Sequence, residues 1–152
     1  HPSSYVGRRN YPAGSNILRY FQAGHPTLQQ HLQQVSMDKI SFPAVVVAEA
    51  LRGRSEFLLK AIPEQLPFAS QQLIETIELI QSFTLLPFDE TASQVLKQLI
   101  KNIKKKKKRH ADIVIAAMTL AGNHILVTRN QRDFVDLLPK HQLVNWIDEG
   151  PV

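Results

Sequence analysis

The chain contains no cysteine. Disulfides, thiolate metal sites and cysteine nucleophiles are therefore excluded, and any bound metal must take oxygen or imidazole ligands. No apolar stretch reaches the roughly eighteen residues that a membrane-crossing helix needs, and the opening HPSSYVGRRNYPAG lacks the charged-then-apolar pattern of a secretion signal. The resulting expectation is a soluble, cytoplasmic protein with no membrane partner. Several catalytic signatures are missing too. There is no HExxH, no GxSxG elbow and no phosphate-binding glycine loop, and His25, His31, His124 and His141 are scattered, which argues against zinc and serine hydrolases.

What is present is enough apolar material for one core: 43% of 152 residues are hydrophobic, which suits a single domain. The net charge of +5 is local. Residues 97–109 hold Lys97, Lys101, Lys104 to Lys108 and Arg109 with no acid among them, leaving ten bases against thirteen acids elsewhere. A basic patch on an otherwise mildly acidic domain points to a polyanion partner, against the plainer reading of a solvated lysine-rich loop.

Periodicity and punctuation divide the chain into short elements. Asn16 to Phe21 and Leu28 to Val35 read as helices, Lys39 to Phe42 as a strand, and AVVVAEALR as a helix with Pro43 at its first position and Gly53 closing it. Two packing helices broken at Pro63 and Pro67 fill residues 55–83. Thr84 to Pro87 reads as a strand, and Asp89 or Thr91 caps a helix running to Ile103. The stretch 110–134, HADIVIAAMTLAGNHILVTRNQRDF, is the most informative. Asp112 lies in the first turn of a short, mostly buried helix that Gly122-Asn123 stops, Ile125 to Thr128 reads as a buried strand, and Asn130 and Asp133 follow the strand's end. Leu143 to Trp146 reads as an edge strand. Short strands alternating with helices predict a parallel α/β sandwich with four convincing strands. Since ligands bind beyond the carboxyl ends of such strands, Asp112, Asn130 and Asp133 are expected to converge on one acidic cleft.

This block resembles the C-terminal half of PIN-domain ribonucleases of the VapC toxin type, in which an Asp before an Ile-Ala-Ala helix precedes a Leu-Val-Thr strand and an Asn-x-x-Asp-Phe turn. LPFDETA at 86–92, EALRG at 49–53, NILRYF at 16–21 and VNW at 144–146 extend the resemblance in the family's order. It implies a three-layer α/β/α sandwich with a short parallel central sheet. It also implies a Mg2+-dependent (or Mn2+-dependent) endoribonuclease that cleaves structured RNA such as tRNA, a homodimer and a cognate antitoxin. Glu49, Asp112 and Asp133 match acidic positions that would hold metal and catalyse, with Ser15, Asn16, Thr128 and Asn130 supporting them and Lys104, Lys105, Lys106, Lys107, Lys108 and Arg109 steering RNA. Carboxylates gathered from separate elements repel one another unless a hard cation neutralises them, which fits that chemistry. Read singly, Glu49 also suits a salt-bridged helix position, Asp133 a turn and Asp112 a helix cap.

Two departures stand out. The family's first strand ends in Asp, then Thr or Ser, Asn and Leu or Ile; here the string is Ala13-Gly14-Ser15-Asn16-Ile17-Leu18, so Gly14 stands where an Asp belongs. The preceding RRNYPA is charged and carries Pro12, which predicts that it cannot serve as a buried central strand. Residues 1–13 therefore read as an atypical, non-native-looking segment before a single PIN-like domain at 14–148. Relatives also place Gly three residues before the helix Asp, where this chain has Arg109 and then His110. The alternative function is accordingly a catalytically impaired PIN module that binds RNA or an antitoxin without cleavage. A helical DNA-binding protein would explain the lysines but not the acids.

Overall fold

Five strands, each only two to four residues long, organise the chain in the computed structural model, which describes residues 9–103 and 108–152. β1 (Tyr11–Pro12) is followed by α1 (Ile17–Ala23) and α2 (Pro26–Leu32), then β2 (Ile40–Pro43), α3 (Ala44–Lys60), α4 (Leu66–Gln81), β3 (Thr84–Leu86), α5 (Glu90–Asn102), α6 (His110–Ala121), β4 (Leu126–Val127) and β5 (Leu143–Val144). β1 pairs in parallel with β2, β2 with β3, and β4 with β5. A parallel bridge from Ala13 to Val127 joins the two sets, giving the spatial order β3-β2-β1-β4-β5. All four residues of β2 and both of β4 are buried, as in strands covered on both faces. The α/β class with a short parallel sheet is as expected.

The first strand overturns the expectation drawn from RRNYPA. Asn10 to Ala13 form the middle of the sheet, and Pro12 is fully buried. The Ala13 N–H donates to the Ser41 carbonyl on one side, while on the other the Gly14 N–H donates to Val127 and the Ile125 N–H to Asn10. Alternation of the ladder turns Pro12's nitrogen towards β4, between those last two bonds, so the ring costs at most one bond that its neighbours bracket. The polar residues are accommodated in part, with Asn10 Oδ1 buried and left without a hydrogen-bond partner. Arg9 is exposed and its Nε donates to the Asn123 carbonyl, and the Asn10 N–H donates to Nδ1 of buried His124 at 2.9 Å.

Other boundaries shift for simple reasons. Gly53 does not close α3, which runs on to Lys60 and stops ahead of Pro63; a helical glycine costs only about 1 kcal/mol relative to alanine. Pro43 is the residue before the helix, and Pro67 sits in the first turn of α4, where its missing N–H is harmless. Asp89 caps α5 by accepting the Ala92 N–H at 2.9 Å. α6 is apolar on nearly all sides and buried between the sheet and α5, and it ends at Gly122 with Asn123 at φ 52°. The core gathers Ile17, Phe21, Phe42, Phe83, Ile115, Leu126 and Trp146 about the sheet.

Candidate functional site

Chain order leaves β1 towards β2 on one side and returns to β4 on its other side, so the β1–β4 boundary is the switch point of the sheet. A crevice opens there beyond the carboxyl ends of the strands. Its walls include Gly14, Ser15 and Asn16 after β1, Thr128 and Asn130 after β4, Asp112 from α6, Asp133 from a 3-10 turn (Gln131–Asp133), and Arg109. The sequence thus brings together seven of its expected residues, and Glu49 reaches the same place from mid-α3.

Each carboxylate is held differently. Both oxygens of Glu49 are engaged: the Ser15 hydroxyl donates to Oε1 at 2.7 Å and Arg109 Nη2 to Oε2 at 2.7 Å. Asp112 lies in the first turn of α6, and the cap position itself is Arg109, so Asp112 is not the cap. Its side chain is 8% exposed and lies 3.7 Å from Arg109 Nη1. Burial pushes the Asp112 carboxyl up from its ordinary value; Arg109 pulls it down, and the charges of Asp133 and Glu49 push it up further. Asp133 and Glu49 thus both lie near enough to act on the Asp112 charge. Thr128 is buried and its hydroxyl accepts the Asn130 N–H at 3.1 Å, shaping the turn after β4.

The expected RNA-steering residues separate. Lys104 to Lys107 lie outside the described residues. Lys108 is tied down, donating to the Asp133 carbonyl and to Asp136 Oδ1 at 2.7 Å, and Arg109 lies on the acids. Arg52, missing from the expectations, lines an adjoining groove with Val45, Ala48, Glu49, Arg109, His110 and Ala111. Its signal was legible: Arg52 follows Glu49 by three residues, which puts both on one helix face.

Does the crevice suit a divalent ion? Gly14 offers no side-chain oxygen, Glu49 is saturated by Ser15 and Arg109, and a guanidinium already neutralises two of the three acids. Among the described residues no three acids or imidazoles converge on a point that would hold a metal. The enclosed space is about 10 Å3, room for roughly one water. As arranged, the residues do not fit the magnesium that the resemblance implies. Gly14 itself is buried with an ordinary backbone, and a Cβ there would lie 3.2 Å from Thr128 Oγ1, facing the crevice.

Comparison with solved structures decides the fold. A DNA-bound VapBC complex from Salmonella typhimurium contains a chain matching at TM-score 0.75 and 15% identity, over 91% of this chain and 99% of that one. The fold is that of a VapC-type PIN domain. VapBC2 from Rickettsia felis, bound to a DNA fragment from its promoter, matches at 0.69 and 23% over 90% and 98%, and VapBC-1 from nontypeable Haemophilus influenzae at 0.70 and 20% over 90% and 97%. No protein-family model and no curated relative matches the sequence. No helix among the described residues is long and apolar enough to cross a membrane.

Proposed function

We propose that this chain is the toxin-side PIN module of a toxin–antitoxin pair, directed at structured RNA such as tRNA, and that in its present form it holds RNA and a cognate antitoxin without cutting efficiently. One observation carries the reading: the crevice at the β1–β4 switch point keeps Glu49, Asp112 and Asp133, has Gly14 in the fourth acidic position, and has Arg109 lying across two of the acids. The lysine run beside α6 supports a polyanion partner. Leu59, Ile62, Leu66 and Phe68 are exposed around the α3–α4 turn, an apolar surface that favours burial against a second copy or the antitoxin. A homodimer and a cytoplasmic setting belong to the same proposal.

The second reading is an active Mg2+-dependent or Mn2+-dependent endoribonuclease, favoured by the retention of three acids in one crevice. Both are tested by titrating labelled tRNA across a salt series and assaying its cleavage with and without chelator. The proposal expects salt-sensitive binding whose log–log slope falls by roughly 2.8 when Lys104 to Lys107 become Ser, Lys108 being engaged by Asp136, together with no chelator-sensitive cleavage. Chelator-sensitive cleavage by the parent chain would establish the second reading. Absence of both binding and cleavage would remove the two together.

A further inference from the structure

The acids of the crevice already have a cation. Arg109 is the cap residue of α6 with extended backbone (φ −64°, ψ 135°), so its side chain departs where the helix begins, close to Asp112 one turn on. Nη2 bonds Glu49 Oε2 at 2.7 Å while Nη1 lies 3.7 Å from Asp112 Oδ1. The side chain of Arg109 is 57% exposed, against 24% for Glu49 and 8% for Asp112, so the guanidinium is the movable partner and the carboxylates are the fixed ones. Ser15, holding the other oxygen of Glu49, fixes that carboxylate in place.

We propose that Arg109 is a built-in counter-ion that competes with divalent cations for Glu49 and Asp112, keeping the crevice closed to metal. A hard ion such as Mn2+ or Mg2+ needs bare carboxylate lone pairs at close range, and these are the lone pairs that the guanidinium faces. Co-occupancy would also set a divalent ion beside the positive charge of the guanidinium. The adjoining groove of about 500 Å3, lined by Val45, Ala48 and Arg52, gives the guanidinium a place to swing when it is displaced. Gly14 and Arg109 thereby act together: one position withholds an acidic ligand and the other occupies two that remain.

The inference rests on reading the crevice as a PIN-type acidic site, and its test involves neither RNA nor antitoxin, so its failure is separable from that of the proposed function. Mn2+ alone is titrated into the folded parent chain, Arg109→Gln and Arg109→Lys, followed by calorimetry and by loss of the free-ion paramagnetic signal. Arg109→Gln is expected to bind on the order of tenfold more tightly than the parent, a coupling within the usual range for two ligands sharing groups. Arg109→Lys should fall between them, since a single ammonium does not span two carboxylates as the planar fork does. Adding Glu49→Gln to Arg109→Gln should abolish the gain. Equal or weaker Mn2+ binding by Arg109→Gln, or no detectable binding in either protein, overturns the proposal. Should Arg109→Gln fail to fold, an affinity of Arg109→Lys equal to the parent's overturns it as well.

Discussion

Asp112 is under opposing pulls, burial and two neighbouring acids raising its carboxyl against Arg109 lowering it, with burial the largest. Because the folded pKa stands above the ordinary 3.8, the folded state binds the proton more tightly than the unfolded chain, and stability falls as pH rises through the interval above 3.8. Asp112→Asn should therefore melt higher than the parent at pH 7, with the difference shrinking to nothing below pH 3.8. A lower melting temperature at pH 7 would mean that the carboxylate is structurally required. His124 has the opposite sign. Burial depresses its pKa below 6.5 and its neutral Nδ1 accepts the Asn10 N–H, so stability present above 6.5 is lost as pH falls through the folded value. His124→Asn, which keeps an acceptor but cannot take the proton, should flatten the fall of melting temperature below pH 6.5. An unchanged pH profile contradicts the assignment. Asp112 and Asp133 were legible because one opens a helix and the other follows a strand's end, whereas Glu49, within α3, was legible only through the family resemblance. The Asn10–His124 bond was not, since its partners lie 114 residues apart and nothing local marks either one.

Among the elements, the helices were the most readable and the first strand the least. α6 declares itself by an uninterrupted apolar run bounded by Asp112 and Gly122, and its buried setting follows. β1 looks wrong by pattern because the pattern assumes that a central strand must be apolar. Here Arg9 is exposed, the Asn10 backbone N–H is taken by His124 and the missing Pro12 N–H is bracketed by ladder bonds, none of which sequence reading can supply in advance. Gly53 misled for another reason: glycine commonly ends helices, yet this one has helical neighbours on both sides, an ordinary φ and open space around its Cα. Gly53→Ala should consequently stabilise the protein by about 0.5–1 kcal/mol, raising the midpoint of urea unfolding with no change in slope. A loss of stability would indicate that α3 bends at that point.

At the scale of the whole molecule, five short parallel strands in the order β3-β2-β1-β4-β5 place the switch point, and with it the acidic crevice, beside Gly14. The fold class was readable from alternation alone, whereas this convergence depends on β1 lying between β2 and β4, which the residues of β1 conceal. The molecule thus has the fold of a PIN domain, with Gly14 where the family resemblance expects an acid, a vacancy on the reading proposed above. Because the strand is already in place, no rebuilding of residues 8–13 is needed to test that vacancy. A side chain at position 14 would face Thr128, with contacts that must give by a few tenths of an ångström. The decisive measurement is chelator-sensitive cleavage of tRNA by Gly14→Asp beside the parent chain, at equal folded concentration and with Mg2+. The account predicts cleavage at least about a hundredfold faster in Gly14→Asp, several kcal/mol of transition-state stabilisation being the usual scale for a correctly held metal. Equal rates in the two proteins, whether both active or both inactive, would contradict the proposal that the missing acid at position 14 limits the crevice.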